Sequence, residues 1–245
     1  MGKIIGVLNQ KGGVGKSTMC AHLAMTLYHG FNFKKNSKFA CIFDTDFPQL
    51  SVYKWRLWEL ERLKHYRDNQ NLYYDNKLSK LYNEEFLPMD VFQGPILDFK
   101  NSVEKLKSLY EYTFVDVVGT VNTSEFDEEF LGMFDFIIVP TTSKFESFRS
   151  TLEFVNKIIH PFYKNNTIGD YSILLNDVDL KQQSEYKELI TALESANYKV
   201  FKNVVNSREK YIRFYLDVKS RSGSLSTIFP THDPVLDQII KQVIK

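Results

Sequence analysis

The chain has 245 residues, 43% hydrophobic and 25% charged, the ordinary balance of a folded protein with a sizeable core. A formal net charge of +1 supplies no global basic field, so affinity for a polyanion has to come from a local patch. The only cysteines, Cys20 and Cys41, exclude a disulfide framework and an iron–sulfur type of spacing, and no apolar run is long enough to span a bilayer.

In chain order, Ile4–Leu8 is an apolar run and is predicted as a strand. No signal peptide precedes it and both cysteines read as buried thiols, so a cytoplasmic location is expected. Next come Lys11, Gly12, Gly13, Val14, Gly15, Lys16, Ser17 and Thr18, leading into a helix over Thr18–Tyr28. Strand, glycine loop and helix in that order form a phosphate-binding loop. Glycines let backbone N–H groups turn inward, and the helix start adds free N–H groups and partial positive charge. Lys16 would reach the β- and γ-phosphates, Ser17 would place its hydroxyl on Mg²⁺, and Thr18 would contact the α-phosphate. The strict G-x-x-x-x-G-K-[ST] pattern has Gly where Gln10 stands here, and Lys11 is an additional cation.

The second strand, Phe39–Phe43, ends in Asp44-Thr45-Asp46-Phe47-Pro48-Gln49, and a helix over Ser51–Tyr66 follows. Residues 55–88 are long, aromatic and charged; they read as one or two amphipathic helices with a break at 68–71. A solvated cap and a partner-docking surface both fit that segment. Further strands are predicted at Met89–Phe92, Thr113–Val118, Phe134–Val139 (ended by Pro140), Tyr171–Leu175 and Val200–Val205. Helices fall at Asn101–Tyr110, Phe145–His160 and Ser184–Ala196. The alternation predicts an α/β fold: a doubly wound, mostly parallel sheet with helices on both faces, a P-loop NTPase architecture. Residues 1–245 read as one domain with a helical, aromatic-rich elaboration at about 51–88. Ligands of such sheets sit at the carboxyl ends of the strands, where the glycine loop, Asp44, Asp46 and Asp116 fall.

Lys11 to Thr18, together with Met1-Gly2-Lys3-Ile4-Ile5 and Asn9-Gln10, resembles the deviant Walker A motif of the ParA/MinD family of ATPases, and the likeness runs from Gly2 to about Arg213. The resemblance implies a Mg²⁺-dependent ATP hydrolase with Lys11, Lys16 and Asp46 in catalytic roles. Asp44-Thr45-Asp46 is similar to the family's D-x-D-P-Q segment with Phe47 inserted; Asp46 would position the attacking water and Asp44 would support the metal. Asp116 resembles the Walker B acid, with a water-mediated Mg²⁺ contact, and Gly119 suits a turn that senses the γ-phosphate. Asn176 resembles the family's strand-ending Asn, whose amide reads adenine. Lys11 would cross a two-fold interface to the partner's nucleotide, making an ATP-dependent homodimer.

Arg208, Lys210, Arg213, Lys219 and Arg221, interleaved with aromatics and hydroxyls, form a basic patch in the region where ParA proteins bind DNA nonspecifically. The implied partners are nonspecific DNA and a ParB-like adaptor, with a plasmid, chromosome or conjugative element as cargo. The alternative is a MinD-like ATPase positioning a membrane or protein complex; a nucleotide-switched scaffold built on the aromatic segment is a further one. In 234–245 the apolar residues Val235, Leu236, Ile239, Ile240, Val243 and Ile244 share one helical face. That helix is expected to pack on the core, and a membrane partner is not favoured.

Overall fold

The structure is a computed structural model and describes residues 1–32, 38–68, 89–119, 126–179, 183–206 and 234–245. The strands are β1 (Lys3–Val7), β2 (Ala40–Asp44), β3 (Asp90–Gln93), β4 (Tyr112–Asp116), β5 (Phe136–Thr142) and β6 (Asp170–Asn176). All pair in parallel in one six-stranded sheet of order β3-β2-β4-β1-β5-β6. The helices are α1 (Lys16–Gly30), α2 (Ser51–Asp68), α3 (Ile96–Leu109), α4 (Glu128–Leu131), α5 (Phe145–Phe154), α6 (His160–Lys164), α7 (Gln183–Ser195) and α8 (Pro234–Val243).

Alternation along each strand divides the core between the sheet's faces. Ile5 and Val7 of β1, Ile42 of β2, Phe114 of β4, Ile138 of β5 and Leu174 of β6 face α1, α2 and α8. Their neighbours Ile4, Cys41, Phe43, Val115, Ile137, Val139, Ile173 and Leu175 face α3, α4, α5 and α7. Strands covered on both faces need apolar residues throughout, which explains the unbroken apolar runs of the sequence. The expected doubly wound α/β architecture is therefore present.

Several boundaries differ from expectation for identifiable reasons. Pro140 does not end β5, which continues to Thr142. Ile138 accepts from Leu8 N–H on the β1 side, so Pro140, two residues on, presents its missing N–H to that same side, beyond the end of β1. No bond to β6 is lost there. Helix α3 begins at Ile96 rather than Asn101, because Ile96, Phe99, Val103 and Leu106 form one buried face. The single helix expected over Phe145–His160 is interrupted by a π-helical turn, Val155–Ile159, and resumes as α6 with Pro161 in its first turn. The seventh strand, Val200–Val205, is not continuous: a bend at Lys202–Asn203 leaves isolated parallel bridges, Ile173 with Val200 and Val178 with Asn206.

Helix α2 buries Val52, Trp55, Arg56 and Glu59, with Arg56 and Glu59 paired, while Leu57, Trp58 and Leu60 stay exposed. Helix α8 buries Leu236, Ile239, Ile240 and Val243 in the cluster that contains α1. Among the described residues, no helix is long and apolar enough to cross a membrane.

Candidate nucleotide-binding site

The loop after β1 is pinned before it reaches its glycines. Asn9 is buried, and its amide donates to the Pro140 carbonyl at 2.8 Å and to Thr151 Oγ1 at 2.7 Å. Its Oδ1 accepts the Lys11 N–H at 3.0 Å. Gln10 Nε2 donates to the Ser150 carbonyl at 3.1 Å. The loop entry is thus tied to β5 and α5, and Gln10, standing where the strict pattern has Gly, has a use. Gly13 and Gly15 have φ of 74° and 89°, the left-handed region that favours glycine. Gly12 and Gly13 are exposed, and a Cβ on either would meet no atom within 4 Å. At Gly15 a Cβ would come 2.4 Å from Asn176 Nδ2, so that position is closed by packing as well.

Helix α1 starts at Lys16 with no acidic residue in its first turn, which leaves the positive end of its dipole uncompensated. It opens onto a cavity of about 760 Å³. The walls include Gly12, Gly13, Gly15, Lys16, Ser17 and Thr18 from the loop, Asp46 to Gln49 and Ser51 from the segment after β2, and Val118 and Gly119 from the segment after β4.

The charges are unevenly satisfied. Burial lowers the Lys16 pKa, against the opposing pull of Asp116 and Asp46, and its Nζ lies 3.5 Å from the Lys11 carbonyl. Asp116 is fully buried at the end of β4, and neither carboxylate oxygen makes a hydrogen bond of ordinary geometry. Burial, then repulsion from Asp44, holds its pKa well above the usual carboxylate range; the nearby Ser17 hydroxyl pulls the other way without closing a direct bond. An unpartnered buried carboxylate beside a hydroxyl and a lysine is an arrangement that a cation would satisfy. Among the described residues no three His, Cys, Asp or Glu side chains cluster to cage a metal. The oxygen donors nearest to one another there are the Ser17 hydroxyl and the Asp116 carboxylate, a pair that could hold Mg²⁺ together with phosphate oxygens and water.

The acids after β2 divide the work. Asp44 accepts N–H bonds from Asp46 at 3.1 Å, Val52 at 2.9 Å and Tyr53 at 3.0 Å. Burial raises its pKa and these donors oppose the rise. Its carboxylate therefore holds the start of α2, below the cavity wall, and acts on the site by its charge and by fixing the loop. Asp46 is on the wall itself. Between them, Thr45 bonds to Asp116 and Val118 across the gap to β4.

Lys11 is half-buried at the loop entry, and its ammonium has no partner among the described residues. Val14 is buried, and its carbonyl accepts from Asn176 Nδ2 at 3.1 Å. Asn176 thus braces the loop from the end of β6 and keeps a second N–H and its carbonyl for other use. It is off the cavity wall. Arg208, Lys210, Arg213, Lys219 and Arg221 lie outside the described residues. Asn9, Thr45 and Thr151 were not singled out as site residues by sequence; each works through a bond distant in the chain, for which no local pattern exists.

Solved structures similar to this one share the fold. The MinD cell division protein of Aquifex aeolicus is 15% identical with a TM-score of 0.61, covering 99% of this chain and 96% of that one. A plasmid partition protein from Borrelia burgdorferi bound to AMPPNP is 17% identical with a TM-score of 0.60, covering 99% and 98%. Cobyrinic acid a,c-diamide synthase from Mycobacterium smegmatis, with ADP and magnesium bound, is 16% identical with a TM-score of 0.56, covering 88% and 91%. No curated protein matches the chain by sequence. The CobQ/CobB/MinD/ParA nucleotide binding domain matches residues 5–219, most of the length. With the glycine loop, the parallel sheet and the site in agreement, the chain belongs to that family of nucleotide-binding domains.

Proposed function

We propose that this protein is a ParA-type ATPase that dimerises on ATP, holds DNA nonspecifically and moves or positions a DNA element with the help of a ParB-like adaptor. The observation that carries the reading is that Lys16 and Asp46 line one glycine-walled cavity, with the unpartnered Asp116 buried close enough behind the wall for its charge to act on Lys16. The backbone N–H groups of Gly12–Thr18 and the start of α1 bind the triphosphate, and Lys16 neutralises its β- and γ-oxygens. Ser17, and Asp116 through a water, would hold Mg²⁺, which would supply positive charge against the phosphate oxygens. Asp46 orients the attacking water and accepts its proton. Lys11, with its ammonium unengaged at the loop entry, reaches toward the nucleotide of a second subunit. Asn176 contributes to the adenine contact with the amide atoms it does not spend on Val14. Exposed Leu57, Trp58 and Leu60 on α2 suit docking of the adaptor.

Calorimetry with magnesium-loaded ATP, paired with turnover in the presence and absence of DNA, tests the reading. Lys16→Ala weakens binding most, Asp46→Ala keeps binding and stops turnover, and Lys11→Ala keeps binding but stays monomeric by light scattering. Ala at Arg208, Lys210 and Arg213 removes the salt-dependent DNA shift. No heat with the folded wild type sinks the proposal. The membrane-positioning alternative draws no support from α8, whose apolar face packs beside α1; ATP-dependent co-sedimentation with anionic liposomes would restore it.

A further inference from the structure

We propose that Thr45 is a positioning residue that couples the two loops bordering the cavity, so that Asp46 and the turn through Val118 and Gly119 are held together or released together. The inference deepens the reading above and rests on it for its catalytic consequence.

Thr45 is 2% exposed and sits one residue past the end of β2. In the parallel register Asp44 lies opposite Asp116, so β2 and β4 finish side by side. The Thr45 N–H donates to the Asp116 carbonyl at 2.9 Å, which extends the ladder by one bond. Any residue but proline would do that. The hydroxyl does more: it donates to the same carbonyl at 2.9 Å and accepts the Val118 N–H at 3.3 Å. One side chain thereby fastens the segment leaving β4 at two places.

What lies on either side gives this latch its meaning. Before it, Asp44 is fixed by the Val52 and Tyr53 N–H groups of α2. After it, Asp46 enters the cavity wall. Across the gap are Asp116, with its unpartnered carboxylate, and Gly119, where a Cβ would lie 3.1 Å from Lys16 Nζ. Asp46 and Asp116 both act on the Lys16 charge. The latch thus joins the groups that flank the lysine from two separate loops. An aliphatic residue of equal size keeps the packing and the ladder bond yet leaves the buried side of the link without its hydroxyl.

The experiment is hydrogen–deuterium exchange on nucleotide-free wild type, Thr45→Val and Thr45→Ser, alongside kcat and the dissociation constant for ATP. Losing a bond of ordinary strength makes the Val118 amide exchange about tenfold faster in Thr45→Val, and residues 46–50 loosen with it, while β5 keeps its protection. In the same variant kcat falls about tenfold with the dissociation constant changed less than about twofold, and serine, which retains the hydroxyl, restores both readouts. Thr45→Ala repeats the test if valine disturbs folding. Unchanged exchange at Val118, or loosening of one loop without the other, overturns the coupling. Faster exchange with unchanged kcat overturns the positioning role. A wild type that binds but does not cleave ATP refutes the hydrolase reading and the catalytic consequence together, and the exchange measurement then decides the coupling alone.

Discussion

The two ends of the sheet treat charge and space in opposite ways. At the amino end, polar groups are spent on holding the fold. Asp135 accepts the Ile4 N–H at 2.7 Å, Lys38 pairs with Asp90, and Lys199 pairs with Asp170 over the Tyr163 ring. Glycines there are closed in by backbone: a Cβ at Gly2 would lie 2.0 Å from the Tyr110 carbonyl, and one at Gly169 would lie 2.3 Å from the Asp135 carbonyl. At the carboxyl end, Lys16 is desolvated, Asp116 lacks a hydrogen bond, and Gly12 and Gly13 face open space. Residue types that hold the fold at the amino end are divided at the carboxyl end, where Asp44 and Gly15 are tied into the structure while Lys16, Asp116, Gly12 and Gly13 are not. Their surroundings, not their identity, make the distinction.

The contrast breaks most sharply at Lys16. Lys16→Ala should weaken nucleotide binding by about 10²-fold, the scale of hydrogen bonds between charged partners. Its thermal midpoint without nucleotide should not fall, because burial already disfavours the charged form. Titration calorimetry and a thermal scan read the two effects separately.

Alanine at a glycine from each end gives the next largest difference. Gly169→Ala forces a clash with backbone and should cost about 1–3 kcal/mol, lowering the midpoint by about 2–4 °C for each kcal/mol in a chain of this size. Nucleotide affinity should be unchanged. Gly12→Ala meets no neighbour and should leave the midpoint where it is, yet lower affinity by about tenfold or more by blocking backbone approach to phosphate. If both variants lose stability equally, the proposed division between the ends is wrong.

Asp116→Asn should raise the midpoint without nucleotide by about 2–4 °C, the equivalent of roughly 1 kcal/mol. The sign follows from the raised pKa. Folding holds the proton more tightly than the unfolded chain does, so ionisation costs the native state more as pH climbs above the ordinary carboxylate value. The gain from asparagine should therefore grow from about pH 4 toward neutrality and vanish in more acidic buffer. The same variant should lose magnesium-dependent tightening of nucleotide binding. Lys199→Ala is the mildest change: an exposed pair at the amino end is worth about 1 kcal/mol or less and is screened by salt. A midpoint shift that persists at high salt would assign Lys199 more than a surface pairing.

Legibility of the fold followed the range of the interactions. Strand β1, the glycine loop and α1 are contiguous, and their signals are local: an apolar run, glycines, then a lysine and hydroxyls. The acids at strand ends were readable for the same reason. The bonds that build the site around them were not. Asn9 to Thr151 spans 142 positions and Asn176 to Val14 spans 162. Such pairs exist only because β1, β5 and β6 lie side by side. The expected end of β5 at Pro140 failed similarly, since the harm done by a missing N–H depends on which side of the strand it faces. The region after Lys199 misled because its apolar residues satisfy β6 at separate points rather than in a ladder.

The grip of Asp44 on α2 has a geometric consequence away from the cavity. Helix α2 has 18 residues, and at the usual rise it is about 27 Å long. It is bolted at one end to the exit of β2, two residues before Asp46 on the cavity wall. A rotation of about 10° at that bolt carries the distant end through about 5 Å at this length. Because Val52, Trp55, Arg56 and Glu59 seat the same helix on the core, such a rotation would have to shift their packing together with the carboxylate.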